Sequence, residues 1–221
     1  MLSPASYIDH TLLKPDTTSA KIRRLCEEAV EYGFASVCLP PVFVPLAADL
    51  LYGSEVATGT VVGFPLGYVS PAVKAFEAAE TVAAGADEVD MVIHLGAVRE
   101  GNLEAVTGEV RQVVGAAAQA KVKVIIECCE LDEAMKRALT LRVIESGAAY
   151  VKTSTGFGSG GATVGDVTLL SRVADGRIGV KAAGGIRDWP TCRAMLAAGA
   201  TRIGTSAGVA IVEDWRKAEG A

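Results

Sequence analysis

The sequence predicts an α/β protein of the (β/α)8 TIM-barrel class, with a single domain over residues 1–221. Two observations support this prediction. Short apolar runs alternate eight times with helical patterns, and no linker, low-complexity stretch or block of charge divides the chain. Strands that are separated by helices pair in parallel, and eight such units in 221 residues favour a closed barrel over an open sheet.

The predicted elements follow one another as strand and then helix along the whole chain. Apolar runs of strand length predict strands over residues 7–11, 36–39, 56–62, 88–93, 122–127, 150–153, 178–182 and 202–205. Helical periodicity between these runs predicts helices over residues 19–32, 41–51, 71–84, 103–118, 132–145, 164–173, 189–198 and 208–215.

A weak internal repeat places a glycine before every second strand. The four glycines are Gly33, Gly85, Gly147 and Gly199. Glycine suits the residue after a helix because it adopts the left-handed conformation there. In this fold alternate strands contribute side chains to one interior layer. The residues expected in the layer that the repeat defines are Cys38, Asp90, Lys152 and Gly204.

Five charged residues are predicted to point into the barrel, because side chains alternate along a strand and the apolar neighbours of these residues face the helices. They are Asp90, Lys123, Glu127, Lys152 and Lys181. A strand-end lysine taken alone is more often structural, with its ammonium group reaching solvent. Two lysines and an aspartate that converge at the carboxyl ends of barrel strands favour an active site instead.

Lys152 and Lys181 each end an apolar run and lead into a glycine-rich loop. A buried lysine is costly unless it is paired or functional, and two lysines that approach each other should lower each other's pKa. A lysine with a lowered pKa is a nucleophilic amine near neutral pH, as Schiff-base chemistry requires. Asp90 is then the expected proton shuttle, while Lys181 tunes Lys152 and relays protons.

Glycine-rich loops follow the seventh and eighth predicted strands, at residues 184–187 and 204–208. In this fold a phosphate commonly sits between these loops, where backbone N–H groups and a helix N-terminus hold it. The hydroxyl groups of Thr205 and Ser206 are expected to add donors. Simple turn formation is the alternative explanation of each loop. A phosphate anchor beside a nucleophilic lysine suggests carbon–carbon bond chemistry on a sugar phosphate.

Composition excludes several other functions. The chain has 21 lysines and arginines against 26 acidic residues, which argues against a nucleic-acid or membrane surface. No apolar stretch approaches the length of a membrane span, and no signal peptide is recognisable. The five irregularly spaced cysteines favour a reduced, cytoplasmic protein. Two histidines, His10 and His94, cannot form a multi-histidine metal site, so we expect no metal and no cofactor.

Six motifs resemble those of deoxyribose-phosphate aldolases, a family of class I aldolases, and the resemblance runs along most of the chain. The motifs are IDHTLLKP at 8–15, VGFPLG at 62–67, DEVDMVI at 87–93, KVIIE at 123–127, VKTSTGFG at 151–158 and VKAAGGIR at 180–187. The two lysine-containing motifs together are highly specific for this family.

The resemblance implies a TIM barrel that reversibly cleaves 2-deoxy-D-ribose 5-phosphate to D-glyceraldehyde 3-phosphate and acetaldehyde. It implies Lys152 as the Schiff-base residue, with Asp90 and Lys181 as proton-transfer residues. The implied phosphate-binding residues are Thr155, Gly156, Gly184, Gly185, Gly204 and Ser206. The implied further pocket residues are Asp9, Thr11, Cys38 and Lys123. The expected partners are therefore a sugar phosphate and acetaldehyde, and the resemblance is compatible with a homodimer.

Two other interpretations of the sequence remain open at this point. The first is another phosphate-binding barrel, such as a different Schiff-base aldolase, a transaldolase or a sugar-phosphate epimerase, which the two lysine motifs disfavour. The second is a sugar-phosphate-binding protein without catalytic activity. Such a protein should lack Asp90, Lys152 or Lys181, and all three are present.

Overall fold

Eight parallel strands close into a barrel in the computed structural model, which describes residues 3–220 apart from the side chain of Glu219. Each strand pairs with the next, and the last pairs with the first. The strands are β1 (Ile8–Thr11), β2 (Ser36–Leu39), β3 (Ala57–Val62), β4 (Glu88–Val92), β5 (Lys121–Ile125), β6 (Tyr150–Lys152), β7 (Gly179–Ala183) and β8 (Arg202–Thr205). The predicted fold class is confirmed, and the predicted strand ends differ by at most two residues.

Nine α-helices lie around the barrel in the described residues. They are α1 (Ser19–Tyr32), α2 (Val44–Leu51), α3 (Pro71–Ala83), α4 (Leu95–Arg99), α5 (Leu103–Ala116), α6 (Glu133–Glu145), α7 (Val164–Ala174), α8 (Trp189–Ala197) and α9 (Gly208–Glu219). None of them is long and apolar enough to cross a bilayer.

Two helices differ from the prediction. The short helix α4 was not predicted, because five residues are too few to show helical periodicity. The helix predicted over residues 41–51 starts as a 3-10 turn, Pro41–Phe43, and becomes α-helical only at Val44. Pro41 and Pro45 have no N–H group, so each fits the start of a helical segment but cannot lie within a continuous one.

Short polar side chains fix where several helices begin. Thr18, Ser70, Asp132 and Asp188 each accept a hydrogen bond from the backbone N–H three residues later, at α1, α3, α6 and α8. The repeated glycines act at the other end of the helices. Gly33 has a φ of 67° directly after α1, where a left-handed residue ends the helix.

A buried ion pair outside the barrel links two helices to the end of β4. Lys74 of α3 and Glu109 of α5 are paired and almost fully buried. The Lys74 ammonium group also donates to the Val92 carbonyl at 2.7 Å, and Glu109 accepts from the His94 N–H at 3.1 Å. The pair therefore anchors the chain just after the strand that contains Asp90.

We expect Lys74→Met to lower the free energy of unfolding by about 3–5 kcal/mol, because Glu109 would be left as a buried charge without its partner. The double variant Lys74→Met/Glu109→Leu should recover most of this loss, since it buries no charge. Urea unfolding of both variants and the parent protein measures the difference. Equal losses in the single and double variants would contradict the pairing energy assigned here.

Candidate active site

Three lysines surround the carboxylate of Asp90 inside the barrel. Lys123 donates to its Oδ1 at 3.0 Å, while Lys152 and Lys181 donate to its Oδ2 at 2.7 and 2.6 Å. The four residues come from the neighbouring strands β4, β5, β6 and β7, and all four are buried. The structure thus brings together the aspartate and the three lysines that the side-chain alternation directed inward.

A further set of charges lies beside these residues. The Arg202 guanidinium group reaches Asp9 Oδ1 and Glu88 Oε1, both at 2.5 Å. Lys123 donates to Glu88 at 2.6 Å, and the Lys181 ammonium group lies 2.5 Å from Asp9 Oδ2. Closure of the barrel between β8 and β1 brings Arg202 and Asp9 together, although 193 residues separate them in the chain.

Glu88 and Arg202 were not predicted as interior residues, although the sequence contained a signal for both. Glu88 precedes Asp90 by two residues on β4, and Arg202 precedes Gly204 by two residues on β8. Side chains two apart along a strand share a face. Both residues were therefore directed inward by the same alternation that located Asp90.

The buried charges do not balance when every group is ionised. The cluster contains four cations and three carboxylates, which are Lys123, Lys152, Lys181 and Arg202 against Asp9, Glu88 and Asp90. The ammonium group of Lys121 comes within 3.8 Å of Glu88 but is largely exposed, so solvent screens it. A buried net charge is costly. Loss of one proton from a lysine makes the cluster neutral.

Lys152 is the lysine that loses its proton most readily. It pairs with one carboxylate, Asp90, whereas Lys181 pairs with two and Lys123 with three. Burial lowers the pKa of Lys152, and the positive charge of Lys181 lowers it further, while Asp90 opposes the shift. A neutral amine at this position is a nucleophile at neutral pH.

The expectation that the two lysines lower each other's pKa is wrong for Lys181. Burial disfavours its charge, but the carboxylates of Asp9 and Asp90 outweigh burial and raise its pKa. Lys123 has a raised pKa for the same reason. For Lys152 the largest cause of the lowered pKa is burial, with the neighbouring cation second among the lowering effects.

The two aspartates are carboxylates at neutral pH. Burial raises the pKa of each, but the surrounding cations outweigh it, so the pKa of Asp90 lies well below its usual value and that of Asp9 is about 2. Burial and the charge of Asp90 raise the pKa of the nearby Cys38 thiol, which therefore stays protonated. Thr11 is half-buried, and its hydroxyl donates to the Asp9 carbonyl at 2.8 Å.

The loops after β6 and β7 are tied together at the mouth of the barrel. The Ala162 N–H donates to the carbonyls of Ala183 and Gly184, at 3.0 and 3.1 Å. Gly161 lies so close to Gly184 that a Cβ atom there would overlap the Gly184 backbone. Gly156 also approaches Gly184. Gly161 was not predicted to lie at this contact, and its only signal in the sequence is the Gly160-Gly161 pair.

Two threonine hydroxyls near these loops are already engaged within the protein. Thr205 Oγ1 donates to the Ile186 carbonyl at 2.6 Å, so the expectation that it offers a donor to phosphate is wrong. Thr155 Oγ1 donates to Glu127 at 2.6 Å. Within the described residues, the N–H groups of Gly156, Gly185 and Ser206 have no acceptor. These exposed N–H groups can bind an anion at the mouth.

Glu127 does not join the interior charges, contrary to the prediction. β5 ends at Ile125, and Glu127 adopts a left-handed backbone with a φ of 54°. The side-chain alternation therefore does not extend to residue 127, and its carboxylate turns toward Thr155. Among the side chains that the structure describes, no three histidine, cysteine or acidic groups are placed to hold a metal ion.

Comparison with known proteins agrees with this geometry. The family model described as DeoC/LacD family aldolase matches residues 5–214. A deoxyribose-phosphate aldolase from Syntrophotalea carbinolica is 59% identical over 218 residues, which cover 99% of each chain.

Two solved structures are also similar. One is the aldolase QR15, with a TM-score of 0.94 and 39% identity, covering 99% of this chain and 98% of QR15. The other is the tetrameric deoxyribose phosphate aldolase from Aeropyrum pernix, with a TM-score of 0.91 and 38% identity, covering 97% of this chain and 92% of that one. The chain therefore belongs to the DeoC/LacD family of aldolases and is an enzyme of the carbon–carbon lyase class.

Proposed function

We propose that this enzyme reversibly cleaves 2-deoxy-D-ribose 5-phosphate to D-glyceraldehyde 3-phosphate and acetaldehyde, through a Schiff base on Lys152. The single observation that supports this most strongly is the environment of Lys152. Of the three lysines around Asp90, it alone has a lowered pKa. The name of the Syntrophotalea carbinolica relative supports the choice of substrate.

The reaction begins when the neutral Lys152 nitrogen attacks the aldehyde carbon, C1, of the open-chain sugar. The carbinolamine that forms loses water and becomes an iminium ion. Lys181 is charged and donates to the same Asp90 oxygen as Lys152. It can therefore supply the proton that leaves with the carbinolamine hydroxyl group as water. Asp90, held as a carboxylate, stabilises the positive charge on the iminium nitrogen.

Cleavage then breaks the C2–C3 bond of the sugar. The C3 hydroxyl loses its proton and becomes the aldehyde of glyceraldehyde 3-phosphate, while the bonding electrons move toward the iminium and leave an enamine on Lys152. Protonation of the enamine at C2 and hydrolysis release acetaldehyde. We assign these proton transfers to Asp90 and Lys181, acting with water.

We propose that the substrate's phosphate binds the loops after β6, β7 and β8. The residues assigned to it are Gly156, Gly184, Gly185, Gly204 and Ser206, while Thr155 holds the first loop in place. Asp9 and Lys123 are buried and engaged in ion pairs, so they set the charge of the cluster. Thr11 and Cys38 complete the pocket wall. The homodimer and the cytoplasmic location stay predictions.

Borohydride trapping tests this function. Purified enzyme treated with acetaldehyde and borohydride should carry one N-ethyl group, and peptide mass mapping should place it on Lys152. Incubation with 2-deoxy-D-ribose 5-phosphate should release acetaldehyde and glyceraldehyde 3-phosphate in equal amounts. Enzyme treated with borohydride alone is the control. A group found on Lys123 or Lys181, or cleavage that leaves no trappable adduct, would contradict the proposal.

A further inference from the structure

One buried carboxylate near the mouth has no part in the reaction described above. Glu127 is only 5% exposed and lies between β5 and the 3-10 turn Cys128–Glu130. Its carboxylate accepts the Thr155 hydroxyl at 2.6 Å and the Thr155 N–H at 3.2 and 3.4 Å. Burying a carboxylate costs free energy unless it is paired, so its presence at this position calls for a physical reason.

The backbone of Glu127 is also strained. Three non-glycine residues among those described have a positive φ, namely Ala118, Glu127 and Asp175. Ala118 and Asp175 are exposed and lie just after helices, where the left-handed conformation is common. Glu127 is buried, and the left-handed conformation costs a residue with a side chain about 1–2 kcal/mol. Such strain persists only where the surrounding structure holds the residue in place, and strained residues cluster at active sites and ligand-binding loops.

The strained conformation aims the Glu127 carboxylate at the loop after β6. Thr155 Oγ1 donates to Glu127 and at the same time accepts the Phe157 N–H at 3.0 Å. Thr155 and Phe157 are thereby fixed on either side of Gly156, whose φ is 83°. The Gly156 N–H has no acceptor in the described part of the chain, and a Cβ atom placed on Gly156 would lie 4.0 Å from Gly184 Cα.

We propose that Glu127 is a positioning residue for the substrate's phosphate group, which acts through Thr155 and never touches the phosphate itself. A carboxylate repels a phosphate, so direct binding is excluded on charge alone. Its hydrogen bonds instead set the direction of the Gly156 N–H group. This inference rests on the proposed function and extends it to a residue outside the reacting groups.

Glu127→Gly separates positioning from a purely structural role. Glycine relieves the left-handed strain but leaves the Thr155 donors without their acceptor, so the two effects should offset each other and thermal stability should change little. Loss of hydrogen bonds to a charged group should raise KM for 2-deoxy-D-ribose 5-phosphate by roughly 10- to 100-fold. The kcat/KM for 2-deoxy-D-ribose, which has no phosphate, should change by less than about twofold. Glu127→Gln keeps an oxygen acceptor for Thr155 and should restore most of the affinity.

Asp175→Gly is the matched control, because it relieves the same backbone strain at an exposed position before the start of β7, at the opposite end of the barrel from these loops. It should leave both substrates unaffected. An equal loss of kcat/KM for the phosphorylated and unphosphorylated sugars in Glu127→Gly would overturn the inference, as would no loss for either.

Calorimetric binding of inorganic phosphate keeps this test separate from the proposed function, because it requires no turnover. The parent enzyme and Glu127→Gln should bind phosphate, and Glu127→Gly should bind it at least about tenfold more weakly. Equal phosphate affinity in the three proteins would overturn the positioning role. If phosphate binding follows the expected order while the parent enzyme forms no adduct on Lys152, the proposed reaction fails and the positioning role stands.

Discussion

Replacing Lys152 with methionine will abolish aldol cleavage and leave the barrel folded. Methionine has no nitrogen that can form an iminium, so both turnover and borohydride trapping should disappear. The loss should exceed the roughly 10²- to 10⁴-fold effect of removing a proton-transfer group, because the covalent route itself is lost. Steady-state cleavage and mass mapping after trapping measure the two effects.

The same substitution should not destabilise the fold. Without Lys152 the cluster has three cations and three carboxylates, and its buried charges balance. Asp90 Oδ2 keeps one donor, because the Lys181 ammonium group also donates to it, at 2.6 Å. We therefore expect the free energy of unfolding of Lys152→Met to equal or exceed that of the parent protein.

Lys123→Met is the matched control for this stability prediction, since it changes the same pair of residue types in the same cluster. Lys123 donates to Glu88 and to Asp90 Oδ1, and no other group donates to that Asp90 oxygen in the described structure. Protonation of Lys152 could restore the charge balance of this variant, but Asp90 Oδ1 would have no donor, so the loss should cost about 1–3 kcal/mol. If Lys152→Met were destabilised by the same amount, Lys152 would have to be a charged structural partner. That result would contradict the inference that Lys152 is neutral in the folded protein.

The barrel and its inward charges were accessible from sequence because they depend on local periodicity. Alternation with a period of two placed Asp90, Lys152 and Lys181 on the interior face, and glycines after helices marked where strands begin. The protonation states were not accessible in this way. They depend on carboxylates such as Asp9, which only closure of the barrel brings beside Lys181.

The same local rules failed where the backbone leaves its regular conformation. The alternation of β5 was extended to Glu127, but a left-handed residue after the strand end reverses the direction of that side chain. Thr205 was assigned a free hydroxyl, yet its hydrogen bond goes to the Ile186 carbonyl of the preceding loop. Both errors concern contacts between loops, whose paths are not encoded by a repeating pattern.

Replacing Lys181 with leucine will move the pH dependence of Schiff-base formation to higher pH. The positive charge of Lys181 lowers the pKa of Lys152, so removing it raises that pKa and reduces the fraction of neutral amine at pH 7. Two unit charges about 4 Å apart interact by about 4 kcal/mol at an effective dielectric constant of 20. One pKa unit corresponds to about 1.4 kcal/mol, so removing the charge of Lys181 should raise the pKa of Lys152 by at most about three units. We expect trapping by acetaldehyde at pH 7 to slow roughly 10- to 100-fold and to recover as the pH approaches 10.

Lys181→Arg is the control that decides between tuning and proton donation, because it keeps the charge and changes the proton donor. If Lys181 acts on Lys152 through its charge, the arginine variant should form the acetaldehyde adduct with the pH profile of the parent enzyme. Proton transfer to the enamine is followed separately, by deuterium exchange at the methyl carbon of acetaldehyde. A Lys181→Leu variant that traps acetaldehyde more slowly by the same factor at every pH would contradict charge tuning. The charge on Lys181 would then have no bearing on why Lys152 is the nucleophile, and burial alone would have to explain its lowered pKa.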